Sequence, residues 1–118
     1  WYLCGADEGA ALLGAGDVLG ALRERGIPGA VVRHGGRGAL VASGSTVHEV
    51  TPRRTEEVAD EIGAGDAFAA GFAYGLLQRW TPEACTHAAH VIAATALRGT
   101  GDWETLPRLD EVRHLLAR

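Results

Sequence analysis

From Ala67 to Leu77 the chain reads AFAAGFAYGLL, apolar on every side of the helix these residues would form. A surface helix keeps one polar face, so a helix without one must be enclosed by other elements, and the chain has to build a layered fold around it. Immediately ahead, Gly63-Ala64-Gly65-Asp66 places small side chains and one carboxylate where that helix would begin. With 118 residues, 47% apolar and 22% charged, the chain has material for one compact globular domain and not for two. Its 17 glycines follow no three-residue period and come with only 4 prolines, which excludes a collagen-like or low-complexity segment.

The charged residues narrow the chemistry. Formal net charge is −4, and no basic run exceeds the pair Arg53-Arg54, so the electrostatic footprint of a nucleic-acid partner is missing. All 11 basic residues are arginine. A phosphate loop that needs a lysine, and Schiff-base chemistry that needs an amine, are both excluded. Cys4 and Cys85 have no C-x-x-C spacing, which favours a reducing compartment over a disulfide framework or zinc knuckle. Ile62 to Leu77 is interrupted by Asp66 and falls short of the roughly 20 residues of a membrane span. No signal peptide is expected and the cytoplasm is the expected location. The absence of methionine and a start in Trp1-Tyr2-Leu3-Cys4 predict that the chain is the carboxy-terminal piece of a longer protein.

Punctuation by glycine and proline predicts the order of elements. A short helix is expected over Glu8–Leu13 and a second from about Asp17, as N-cap, to Arg25, ended by Gly26. Strands are expected over Ala30–Arg33, Gly38–Ala42 and Thr46–Val50, the first two joined as a hairpin through His34-Gly35-Gly36-Arg37. After the apolar helix, Thr81-Pro82-Glu83 starts a long helix running to Leu97, and Leu109–Leu116 closes the chain as an amphipathic helix.

The tetrapeptide GAGD occurs twice, and the two copies read differently. Gly14-Ala15-Gly16 with Gly20 loosely resembles a dinucleotide fingerprint, but a helical segment precedes it and Arg33-His34 stand where an acidic residue is required, so it reads as a turn between helices. Gly63-Ala64-Gly65-Asp66 opens the apolar helix. Small residues there let successive N–H groups face one point, an anion site made from amide dipoles and the helix field without lysine. Asp66 reads as the helix N-cap or as a general base. A base beside amides aimed at developing phosphoryl charge is sufficient for phosphoryl transfer, which is mostly positioning and electrostatics.

The run Asp60-Glu61-Ile62-Gly63-Ala64-Gly65-Asp66-Ala67-Phe68-Ala69-Ala70-Gly71-Phe72 closely resembles the carboxy-terminal signature of ribokinase-like (PfkB) sugar kinases. Glu8 matches the acidic residue of the family's N-x-x-E element. Arg33-His34-Gly35-Gly36-Arg37-Gly38-Ala39 matches a [KT]-x-G-x-x-G nucleotide loop, and Ala84–Leu97 with Arg98-Gly99-Thr100-Gly101 falls where the family places its adenine-flanking helix. The resemblance implies an α/β fold, the carboxy-terminal half of a three-layer α/β/α architecture, whose sugar-binding strands and lid lie outside residues 1–118.

It further implies ATP-dependent phosphorylation of a sugar or sugar acid. Asp66 would take the proton from the sugar hydroxyl and the amides of Gly63, Ala64 and Gly65 would form the anion hole. Arg33, Gly35, Gly36, Gly38 and Ala89 would complete the nucleotide side. Mg²⁺ would accompany ATP, with Asp60 near it through water or a bound monovalent cation. The implied partners are a sugar and ATP, with a homo-oligomer left open. The chain departs from the pattern at Gly5 and Ala89, where the family often carries Asn, at Glu61-Ile62, and at Arg33, where Lys or Thr is usual.

Gly101 to Pro107 looks most like the 2-keto-3-deoxygluconate kinase branch, ahead of the fructokinase and ribokinase types, and Trp103 reads most simply as a plug beneath the last helix. His87 and His90 share a mixed helix face, which fits a solvated or adenine-edge surface better than a metal pair. Against the kinase stand a non-catalytic nucleotide-binding module on the same scaffold and an oxidoreductase fragment resting on Gly14-Ala15-Gly16. The 118 residues alone are expected to be inactive.

Overall fold

A computed structural model describes residues 1–52, 64–98 and 106–116. The chain divides into two compact units, Trp1–Thr51 and Pro52–Arg118.

The first unit is a sheet with two helices. Strands β1 (Tyr2–Gly5), β2 (Gly29–Arg33), β3 (Ala39–Ser43) and β4 (Thr46–Val50) lie in that spatial order. β1 and β2 run parallel, with Tyr2 opposite Ala30 and Gly5 opposite Arg33. β2, β3 and β4 form an antiparallel meander, pairing Arg33 with Ala39 and Ala39 with Val50. The expected hairpin is therefore present, extended by one strand.

β1 itself is a correction, because the sequence marks no element before Glu8. Four residues ending in glycine carry little strand signal, and β1 is specified by the parallel partner that the α1–α2 crossover brings beside it.

Helices α1 (Ala6–Leu13) and α2 (Val18–Glu24) form that crossover. Gly14 ends α1 at φ +63°, and Asp17 caps α2 by accepting the Gly20 N–H at 2.9 Å. The first GAGD copy is thus a turn between helices, as read, and no strand feeds it. Cys4, Val18, Leu22, Ala30 and Val32 make the core beneath these helices, flanked by Tyr2, Ala6, Ala10, Leu13, Leu19 and Ile27. Alternate residues of β2 explain the pattern. Ala30 and Val32 face α1 and α2, while Val31 on the other side is also wholly buried, so β2 is apolar throughout. Gly9 sets how closely α1 approaches, since a Cβ there would stand 2.8 Å from Cys4 Sγ and 2.9 Å from Val18 Cγ1.

The second unit contains α3 (Ala64–Leu77), α4 (Pro82–Ala96) and α5 (Leu109–Leu116). α3 and α4 are antiparallel, because Gly71 meets the Ala89 backbone and Gly75 meets Cys85. Ala67, Phe68, Gly71, Phe72 and Gly75 form the buried stripe of α3. Its other side, including Ala69, Ala70 and Ala73, is exposed, and Leu77 is 80% exposed, so within these residues the all-apolar helix is covered on one face. Thr81 caps α4 by accepting the Ala84 N–H at 3.3 Å, with Pro82 as its first residue. α5 docks through Val112 and Leu116 against Ala88, Tyr74, Trp80, Val91 and Ile92.

Candidate functional site

The parallel pair β1–β2 ends at Gly5 and Arg33, and in open α/β sheets ligands bind beyond the carboxyl ends of parallel strands. Gly5 is both the last residue of β1 and the N-cap of α1. It has no side chain with which to cap, and Glu8 turns back instead, its Oε1 accepting the Gly5 N–H at 2.6 Å. The same oxygen accepts from Arg33 Nη2 at 3.2 Å. One carboxylate oxygen therefore ties the start of α1 to the end of β2. The sequence assigned Glu8 and Arg33 to separate motifs and missed this contact. The glutamate's place three residues after a helix start was the signal that it turns back on the chain.

Burial and this pair also act on the neighbouring thiol. Cys4 is held above the usual thiol range by burial first, then by the Glu8 carboxylate, with Arg33 opposing.

Beyond Arg33 the chain closes a tight connection. His34 N–H donates to Gly38 O at 2.7 Å and Gly38 N–H donates to Gly35 O at 3.2 Å, around a single 3-10 turn at Gly35–Arg37. Gly35 (φ +60°) and Gly38 (φ +110°) both take conformations that favour glycine. At Gly35 the space is open, since an added Cβ would meet nothing within 4 Å. Arg33, Gly35, Gly36 and Gly38 are thus brought together by one β2–β3 connection.

The second copy of the tetrapeptide lies in the other unit. Gly63 and Asp60 lie outside the described residues, as do Glu61, Ile62 and Trp103. α3 begins at Ala64, earlier than Asp66, so Asp66 sits inside the first turn and is not the N-cap. The N–H groups of a helix's first turn have no partner within it, and Asp66 lies in that turn here. The Asp66 side chain is exposed, and a carboxylate at this position is favoured by the helix dipole.

Ala89, assigned to the nucleotide by resemblance, is wholly buried, its backbone against Gly71. Its neighbour His90 is partly buried, with its ring edge-on to Phe68 at a centroid distance of 5.2 Å. His90 Nδ1 is buried without a hydrogen-bond partner. Burial first, then the charge of His87, pull the His90 pKa down to about 4, so the ring is neutral near neutral pH. His87 itself is exposed.

A Gly-rich connection thus follows a parallel strand in the first unit, and a Gly-Asp pair stands in the first turn of a helix in the second. Residues 3–109 match the pfkB family carbohydrate kinase model. The chain is 39% identical over 85 residues to an uncharacterized sugar kinase of Archaeoglobus fulgidus, covering 72% of this chain and 34% of that one. It is 26% identical over 120 residues to a 2-dehydro-3-deoxygluconokinase of Bacillus subtilis, covering 99% and 37% respectively. Among solved structures it is similar to the fructokinase of Vibrio cholerae O395 bound to fructose, ADP and calcium. The TM-score is 0.84 at 28% identity, covering 97% of this chain and 40% of that one. The chain belongs to the pfkB family of carbohydrate kinases. It spans roughly a third of the length of the curated relatives it matches.

Proposed function

We propose that the chain is the carboxy-terminal, nucleotide-side part of an ATP-dependent sugar kinase. The reading rests chiefly on the start of α3, where the exposed Asp66 carboxylate stands within the first turn among the amides that anions favour. The sugar hydroxyl gives its proton to an Asp66 oxygen as its own oxygen forms a bond to the γ-phosphorus of ATP. The bond from that phosphorus to the β,γ-bridging oxygen breaks, and ADP departs with the electron pair. The amides of Ala64 and Gly65, with that of Gly63, receive the charge developing on the transferred group. Arg33 and the Gly35–Gly38 connection hold the polyphosphate, the arginine by charge and the glycines by close backbone approach.

Mg²⁺ would arrive with the nucleotide and neutralise its phosphates, with Asp60 reaching it through water or beside a monovalent cation. A sugar acid such as 2-keto-3-deoxygluconate is the first substrate to try. The likeness to the Bacillus subtilis relative over 99% of the chain supports that choice. The fructokinase type comes next. No described helix is long and apolar enough to cross a membrane.

The decisive variant is Asp66→Asn in the full-length protein, assayed for ATP consumption against a panel of sugars and 2-keto sugar acids. The general base contributes about 10²–10⁴-fold, so turnover should fall by at least the lower figure while ATP binding is largely kept. Turnover near the wild-type rate would remove Asp66 from the mechanism.

The Glu8–Arg33 ion pair favours a second reading, a nucleotide-binding module without catalysis, because it occupies a carboxylate of the N-x-x-E element. ATP-dependent phosphorylation by the full-length protein would exclude it.

A further inference from the structure

We infer that Glu8 is a positioning residue for the nucleotide, acting through Arg33. The inference rests on the kinase reading above and concerns the strand-end arginine alone. Arginine is a long side chain whose fork binds phosphate well only when it is aimed, and ordering such a side chain at the moment of binding is costly. Here the aim is set in advance. Arg33 leaves the carboxyl end of β2 with 26% of its side chain exposed, and Glu8 Oε1 engages Nη2 at 3.2 Å. The same oxygen is held by the Gly5 N–H at 2.6 Å, and Gly5 stands opposite Arg33 in the parallel register. The anchor of the carboxylate is thus main chain, fixed by the sheet that carries the arginine.

Two effects of Glu8 oppose each other. Its negative charge weakens the pull of Arg33 on an anion, and its grip removes freedom that binding would otherwise have to remove. Glu8 is 61% exposed, so water weakens both its repulsion of an anion and its pull on Arg33. What favours the positioning effect is the Gly5 N–H at 2.6 Å, which keeps the carboxylate in place beside the arginine. Arg33 also makes sense of Gly5. With no side chain at the N-cap, the Gly5 N–H is satisfied by Glu8, and that bond holds the carboxylate at the sheet edge where Arg33 finds it.

The test is a double-mutant cycle in the full-length protein, reading ATP affinity by calorimetry and melting temperature in parallel. Glu8→Ala should weaken ATP about 3- to 10-fold, the effect of one unordered long side chain. Arg33→Met should weaken it about 10- to 100-fold through loss of a charge-assisted contact. In the double variant, affinity should equal that of Arg33→Met, because Glu8 has nothing left to aim. Glu8→Gln, which keeps an acceptor for Gly5 and Arg33, should stay within about threefold of wild type, with the same cause.

Melting temperature should fall for Glu8→Ala in both backgrounds, since the Gly5 contact is lost in each. If Glu8→Ala weakens ATP equally in the presence and absence of Arg33, the glutamate acts through α1 and the inference is overturned. Wild-type affinity in Arg33→Met overturns it as well. An additive cycle with Asp66-dependent turnover defeats this inference alone. A non-additive cycle with turnover indifferent to Asp66 defeats the catalytic reading and leaves Glu8 in its role. A full-length protein that binds no ATP defeats both.

Discussion

Replacing Gly71 by alanine tests the contact that orders the second unit. An added Cβ would lie 2.7 Å from Ala89 Cα and 3.1 Å from both Ala89 N and Ala88 O, all main-chain atoms of α4. Carbon atoms settle at about 3.5–4.0 Å, so α3 and α4 must separate by about 1 Å at this point. A gap of that size forfeits a quarter to a half of each dispersion contact along the seam, and overpacking of this kind costs about 1–3 kcal/mol. Alanine returns about 1 kcal/mol through its higher helix propensity. The expected net loss is about 0–2 kcal/mol, read as a lower urea midpoint at unchanged slope, with helix content followed by circular dichroism. Gly75→Ala meets Cys85 Cα and Sγ at 2.8 Å and Cβ at 3.0 Å, and should cost a similar amount. Ala73→Gly on the exposed face calibrates the propensity contribution at about 1 kcal/mol destabilising. A Gly71→Ala chain more stable than wild type by about the 1 kcal/mol that Ala73→Gly calibrates would refute the close-packed seam.

Arg79 follows α3 at φ +59°, the left-handed position that ordinarily belongs to glycine, while Trp80 N–H closes the helix end on Gly75 O at 3.1 Å. Arg79→Gly should stabilise by about 1 kcal/mol in the same denaturation assay, and a loss would show that the arginine side chain contributes more than its backbone strain costs. His90 should make stability depend on acid. Its folded pKa, about 4, lies below the ordinary 6.5, so the unfolded chain takes up the proton first. Stability is therefore full above 6.5 and falls as pH drops from there to about 4. After discounting for partial exposure the loss is about 1–2 kcal/mol, and His90→Leu should flatten that slope in urea midpoints measured across this range. Gly9→Ala pushes α1 off β1, and thiol labelling of Cys4, 3% exposed in the wild type, should become faster; an unchanged rate would show that Cys4 and Val18 yield without moving the helix.

Most elements could be read from local chemistry because their ends are marked locally. Asp17, Gly26, Thr81 and Pro82 fall at helix ends, and the β2–β3 connection carries the glycines that its φ values require. β1 escaped because nothing within Tyr2–Gly5 distinguishes it from any short apolar run. It becomes a strand through Ala30–Arg33, from which it is separated by two helices, and a pairing at that separation leaves no periodic trace in either segment.

The candidate site divides along the same line. The Gly35 and Gly38 conformations follow from residue type at a turn, so a motif could place them. The fate of Ala89 depends on α3, and the spacing of Gly71 and Gly75 on the buried stripe is what admits the α4 backbone and takes Ala89 out of reach of solvent. From its motif alone Arg33 reads as a phosphate ligand ahead of a Gly-rich loop. Once β1 lies parallel to β2, Gly5 and Arg33 are neighbours, and Glu8, turned back on its own helix start, reaches both. A residue that caps in the first turn of one element and orients a charge on the next cannot be recognised from either element alone. Its assignment waits on the register of two strands, and a one-residue slip in that register would take Arg33 away from Gly5 and leave Glu8 a simple cap.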